Sequence, residues 1–96
     1  MPQDLDITTH IKLIEMLKCA LLNDTAALYE SMRKPSRREE QDESLTGLLI
    51  TLYRLSKALG TDYAELNRLT ADRLRNEMLN DKESLELQEL LKHLNR

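Results

Sequence analysis

The sequence predicts an all-α fold, and three observations carry that prediction. Leu dominates the apolar set while Val, Phe and Trp are absent, so good helix formers are abundant and the usual strand formers are missing. Apolar residues recur at spacings of three, four and seven along most of the chain. The clearest interruptions fall at Pro35, at Gly60 and around Asn80 to Ser84, which divides the chain into four helical segments.

The first helix is expected to follow a short arm over residues 1–8, with Asp6, Thr8 or Thr9 as its cap, and to run to about Arg33 along Ile11, Ile14, Leu17, Leu21, Leu28 and Met32. Pro35 ends it. Ser36 and Glu39 have the spacing of a capping box that opens a second helix, and Gly60 closes that helix as a left-handed C-cap. Asp62 and Glu65 repeat the box and start a third helix to about Leu79, along Leu66, Leu69, Leu74 and Met78. A short fourth helix, Leu85 to about Leu94, gathers Leu87, Leu90, Leu91 and Leu94 on one side. The expected architecture is a helical bundle of two long antiparallel helices and two shorter ones, forming one domain over residues 1–96.

Composition bounds the function. A chain of 96 residues buries only about 60 to 68% of the surface its unfolded form exposes, so a partner subunit would help it. The net charge of −3 provides no basic field for a phosphate backbone, and three tyrosines cannot build a base-stacking platform, so nucleic acid is not an expected partner. No apolar run approaches a membrane span, and the first residues lack the basic and apolar regions of a secretory signal, which makes the cytoplasm the expected compartment. Cys19 is the single cysteine, and His10 and His93 lie near opposite ends, so neither zinc nor a thiol mechanism is indicated. Two glycines cannot make a phosphate-cradling loop.

The long helices carry two unusual features. On the second, Leu45, Leu48, Leu49, Leu52, Leu55 and Leu59 form one wide apolar arc, while Gly47, Thr51 and Ala58 form a stripe of small residues on the opposite face, with Ile50 nearby. A mid-helix Gly costs about 1 kcal/mol relative to Ala, which close approach of another helix would explain. Two semi-apolar faces on one helix suggest a homo-oligomer. On the first helix, Asp24 falls beside Leu17 and Leu28 and near Ala20 and Ala27, off the charged side. A carboxylate in that setting needs a hydrogen bond, a positive partner or a metal.

The segment ESLTGLLITLYRLSKALGTDYAEL resembles the second-helix region of MazG-type nucleotide pyrophosphohydrolases. With IKLIEMLKCALLNDTAALYESM, RLTADRLRNEM and LQELLKHLNR, the likeness extends from about Ile11 to Leu94 and is to the divergent MazG-like proteins. The resemblance implies an all-α nucleoside triphosphate pyrophosphatase fold assembled as a dimer or tetramer. It also implies Mg²⁺-dependent cleavage of a nucleoside triphosphate to the monophosphate and pyrophosphate, with clustered carboxylates holding the metal. The Glu-Glu-x-x-Glu pattern of that family falls on NDTAA, so Asn23 and Ala27 replace carboxylates and Asp24 survives; its Glu-x-x-Asp pattern falls on ESLT, which keeps Glu43 and replaces the Asp by Thr46. The implied metal ligands are therefore Asp24 and Glu43, and the implied phosphate-binding residues are Arg73, Arg75 and Asn76.

Each of these residues also has a plainer explanation. Glu39, Glu40, Asp42 and Glu43 stand in the first turns of a helix, where the macrodipole stabilises negative charge by about 0.3 to 1 kcal/mol each, and a basic end to the third helix follows from the same dipole. Two classes of function therefore stand side by side. One is a pyrophosphohydrolase with an incomplete carboxylate cluster; the other is a non-catalytic helical oligomerisation or regulatory module.

Overall fold

The computed structural model describes residues 2–35, 37–80 and 84–96. Four helices follow in order, α1 (Pro2–Ser31), α2 (Arg38–Ala58), α3 (Tyr63–Asn80) and α4 (Leu85–Leu94), and the described residues contain no strand. They form two compact units, residues 1–60 and 61–96, each built from one pair of helices.

The first helix begins earlier than the sequence predicts. Residues expected to form an arm are helical from Pro2, a residue whose fixed φ and missing N–H suit the first helical position, and Asp6 places negative charge close to the positive end of the dipole. It ends at Ser31, whose carbonyl accepts a hydrogen bond from Gln41 Nε2 of α2 at 3.2 Å. An orphan acceptor at the helix end is thus satisfied from the neighbouring helix. The expected capping role of Ser36 lies outside the described residues; Arg37 is the N-cap, makes no side-chain cap bond, and its carbonyl accepts from Gln41 N at 3.0 Å.

In the first unit α1 and α2 pack antiparallel through a seam with heptad spacing. Ile14, Leu17, Leu21, Asp24, Leu28 and Ser31 turn inward from α1, and Gln41, Ser44, Leu48, Thr51, Leu55 and Ala58 from α2; all are buried or half-buried. Alternating steps of three and four are those of knobs-into-holes packing. Leu17 at 0% exposure is the centre of this core, with Leu55 beside it among the buried residues. Only part of the predicted leucine arc of α2 faces α1, through Leu48 and Leu55. Thr51 is buried and Gly47 and Ala58 are half-buried, whereas Leu45, Leu49, Leu52 and Leu59 are exposed, Leu59 at 68%. The predicted α1 stripe is rotated in the same sense, leaving Ile11 and Met32 exposed. Small residues let the helix axes approach, and α1 has taken that side of α2.

In the second unit α4 packs on α3 around Ala71 and Leu74, the buried apolar residues of α3. Asp62 holds the N-cap position of α3, its carbonyl accepting from Leu66 N at 2.9 Å, while Glu65 is drawn to Arg68. Ser84 caps α4, its hydroxyl accepting from Leu87 N at 3.4 Å, and Lys92 and His93 complement the dipole in the last turn. Leu87, Leu91 and Leu94 are half-buried as one stripe, and Leu90 is exposed.

The two glycines differ in what they permit. Gly60 has φ of +102°, a conformation that L side chains rarely adopt, so it terminates α2 as expected. Gly47 is helical, and a Cβ placed there would meet only the Asp24 carboxylate, at 3.8 Å from Oδ1, which is ordinary contact. Gly60→Ala is expected to destabilise the chain by about 1 kcal/mol, whereas Gly47→Ala is expected to stabilise it by about 0.5 to 1 kcal/mol through helix propensity. Urea denaturation of both variants checks the opposite signs.

Candidate functional site

Among the described residues Asp24 is the one carboxylate carried by the α1–α2 seam, and its placement follows from the heptad. Seven residues separate it from Leu17 and from Ser31, so it must point at α2. It meets the small stripe there. Thr51 Oγ1 donates to Asp24 Oδ2 at 2.7 Å, and the other carboxylate oxygen lies over Gly47. Of the three partners that such a carboxylate needs, the fold supplies a hydrogen bond. Among the described residues no buried side-chain nitrogen or oxygen lacks a partner.

The remaining predicted ligand positions lie elsewhere on the same hairpin. The i,i+3 pair of α2 that turns toward α1 is Ser44 and Gly47, while Glu43 and Thr46, one position earlier, are exposed. Thr46 spends its hydroxyl on the Asp42 carbonyl at 2.7 Å. Glu43 and Thr46 instead line an open surface cleft with Glu39, Glu40 and Asp42. Asn23 and Ala27 are exposed on α1.

These residues do not fit a divalent cation. Mg²⁺ demands hard oxygen ligands in near-octahedral array. One oxygen of Asp24 is taken by a hydroxyl donor, the α2 position facing the other carries no side chain, and among the described residues no three His, Cys, Asp or Glu side chains come together where they could hold a metal ion.

Arg73, Arg75 and Asn76 belong to the second unit, on α3. Residues two apart on a helix project about 200° apart, so Arg73 and Arg75 point to different sides. Arg73 pairs with Glu77 at 3.2 Å. Arg75 pairs with Asp72 at 2.9 Å and donates to Asn95 Oδ1 of α4 at 3.5 Å, and Asn76 is exposed. The carboxylate Asp72 also accepts from Arg68 at 2.9 Å, and Arg68 bonds Glu65 through Nε at 3.0 Å. This chain of alternating charges, Glu65, Arg68, Asp72 and Arg75, runs along one side of α3 and was not anticipated. Its signal was legible in the three- and four-residue spacing of opposite charges.

Fold and site define an all-α protein built on an antiparallel hairpin with a carboxylate–hydroxyl contact in its seam. The comparison with protein families is direct: the MazG-like family model matches residues 7–93, and the chain belongs to that family. No curated protein and no solved structure matches it. Among the described residues no helix is long and apolar enough to cross a membrane.

The Glu65–Arg68 contact carries a pH dependence. Hydrogen bonding from Arg68 holds the Glu65 carboxyl below its ordinary range, and the same bond holds the Arg68 guanidinium above its own. A lowered carboxylate contributes stability that is present above its unfolded-state value and is lost as pH falls through the lowered folded-state value. The stability difference between the parent and Glu65→Gln is therefore expected at neutral pH, to shrink on acidification, and to shrink also in high salt, because both groups are exposed. Thermal melts of both proteins between neutral pH and pH ~3 in low and high salt check this.

Proposed function

We propose that this MazG-like protein is a helical self-association module that keeps the family hairpin and does not depend on its metal chemistry. The observation that supports this reading is the apolar flank of the first unit. Taken at about 100° per residue from the seam, Ile7, Ile11, Leu22 and Tyr29 of α1 and Leu45, Leu49, Leu52 and Leu59 of α2 lie on the same side of the antiparallel pair. All eight are exposed, Leu49 at 54% and Ile7 at 59%. Water contact along a line of large aliphatic side chains is unfavourable by about 25 cal/mol per Å², and a flank carried by both helices of a hairpin matches the same flank of a second copy about a two-fold axis. The partner in this reading is another copy of the chain, as a dimer or a dimer of dimers.

A second reading, Mg²⁺-dependent release of pyrophosphate from a nucleoside triphosphate in the cytoplasm, draws on the cleft that gathers Glu39, Glu40, Asp42, Glu43 and Thr46. The macrodipole at the α2 N-terminus accounts for the same acids without a cation. Arg73 and Arg75 would serve phosphate in that reading only by leaving Glu77 and Asp72.

Sedimentation equilibrium and a pyrophosphate-release assay with mixed nucleoside triphosphates separate the two. Self-association is expected for the parent, with no pyrophosphate above the buffer control in Mg²⁺ or Mn²⁺. Leu49→Glu and Leu52→Glu are expected to weaken association at least about ten-fold, since each buries a charge at the contact. Ile50→Glu, on the other side of α2, is expected to leave it unchanged. A parent that stays monomeric at every concentration, or one whose pyrophosphate release is lost in Glu43→Ala, would sink the proposal.

A further inference from the structure

Two helical seams overlap on α2. The one in use runs Gln41, Ser44, Leu48, Thr51, Leu55 and Ala58, and the other, Leu45, Leu48, Leu52, Leu55 and Leu59, has the same alternation of four and three but is leucine throughout. Leu48 and Leu55 belong to both. A rotation of α2 about its own axis by about 50° exchanges them, keeping Leu48 and Leu55 against α1 and replacing Thr51 by Leu52. Apolar burial alone favours the leucine seam, yet the structure has Thr51 buried and Leu52 exposed. Something polar must decide the choice.

We infer that Asp24 and Thr51 form a selector that holds α2 with its small-residue seam inward and its leucine seam outward, in the place where the family's chemistry would need a cation ligand. The reasoning is differential. In the observed seam the Asp24 carboxylate receives the Thr51 hydroxyl at 2.7 Å and sits over the open Cα of Gly47. In the rotated seam it would face Leu48 and Leu52, with the Thr51 hydroxyl turned out to the flank and away from it, and an unpartnered carboxylate among leucines is the costlier state. Gln41 acts in the same sense, since its bond to the Ser31 carbonyl exists only with Gln41 turned toward α1. A single polar residue in a seam is known to fix alignment at some cost in stability, and here the alternative it excludes would bury the outward leucines within one hairpin. The inference rests on the self-association reading only for the use of those leucines. The pairing of Asp24 with Thr51 lies within one chain, so it stands or falls separately.

The test is a set of variants of the full chain, Asp24→Leu, Asp24→Asn and Thr51→Val, followed by methyl nuclear Overhauser contacts between α1 and α2 and by a Mn²⁺ titration. In the parent, Leu21 and Leu28 are expected to contact the Thr51 methyl and not Leu52. In Asp24→Leu those contacts are expected to move to Leu52, while Asp24→Asn, which keeps an acceptor oxygen, retains the parental set. Thr51→Val preserves shape and removes only the donor; it is expected to lower the folding constant about ten-fold in the parent and less than about two-fold on the Asp24→Leu background. Denaturation at several protein concentrations separates this coupling from association. The inference is overturned if Asp24→Leu keeps the Thr51 contacts, if the two substitutions are additive, or if Mn²⁺ broadens resonances around residue 24 saturably and Asp24→Asn abolishes the effect. The last outcome would restore Asp24 as a cation ligand. A monomeric parent with the expected contacts would remove the self-association reading and leave the selector intact.

Discussion

A carboxylate within a leucine seam must be given a donor, and that requirement organises the first sixty residues. Asp24 reaches Thr51 only if α2 presents its small stripe to α1, and once that stripe is inward Gly47 and Ala58 must follow it and Leu45, Leu49 and Leu52 must turn away. Apolar attraction does not make this choice, because burial alone would turn the leucine seam inward. Direction comes from hydrogen bonds. Two that cross between the helices, Thr51 to Asp24 and Gln41 to Ser31, lie ten residues apart on α2 and seven apart on α1, so together they define rotation as well as register.

Much of the architecture was legible in the sequence because its signals are local. Helix breaks at Pro35 and Gly60, the cap at Ser84 and the apolar stripe of α4 depend on neighbours a few residues away. Which face of a long helix is buried is a non-local question. The leucine arc and the small-residue stripe of α2 were both readable, but not which of them α1 would take: the structure turns Gly47, Thr51 and Ala58 toward α1 together with Leu48 and Leu55, and leaves Leu45, Leu49, Leu52 and Leu59 exposed. Asp24 was recognisable as the odd residue on its face, and its need for a partner was readable. Which partner it took required the helix opposite. The start of α1 was missed for a plainer reason, since Pro and acidic residues read as an arm also suit a first helical turn.

Membership of the MazG-like family and possession of its chemistry are separate matters. A fold can be retained by its packing while the residues that make a site drift, since packing asks for shape and a cation asks for a count of oxygen ligands in a given geometry. Residues 7–93 satisfy the first condition. At the second, the chain has Thr46 and Ala27 where the resemblance implies carboxylates, a Gly facing Asp24, and a hydroxyl in the pairing role. A neutral residue at such a position also avoids the electrostatic repulsion between carboxylates crowded across a helix interface, so the bare hairpin is easier to form.

That consequence bears on why such a hairpin would expose so much leucine. The described core is small: Leu17 and Leu55 are the buried apolar residues of the first unit, and Ala71 and Leu74 those of the second. Helices are stabilised mainly by the burial of an apolar face, and isolated ones shorter than about 12 to 15 residues are marginal in water. A chain with this little interior gains stability most effectively by covering the side chains it leaves outside. In the proposed self-association, holding α2 with its leucine seam outward would exchange burial within one molecule for burial between molecules and couple folding to concentration. On the proposed reading, the Thr51–Asp24 contact is what would hold the leucine seam outward and available for that exchange.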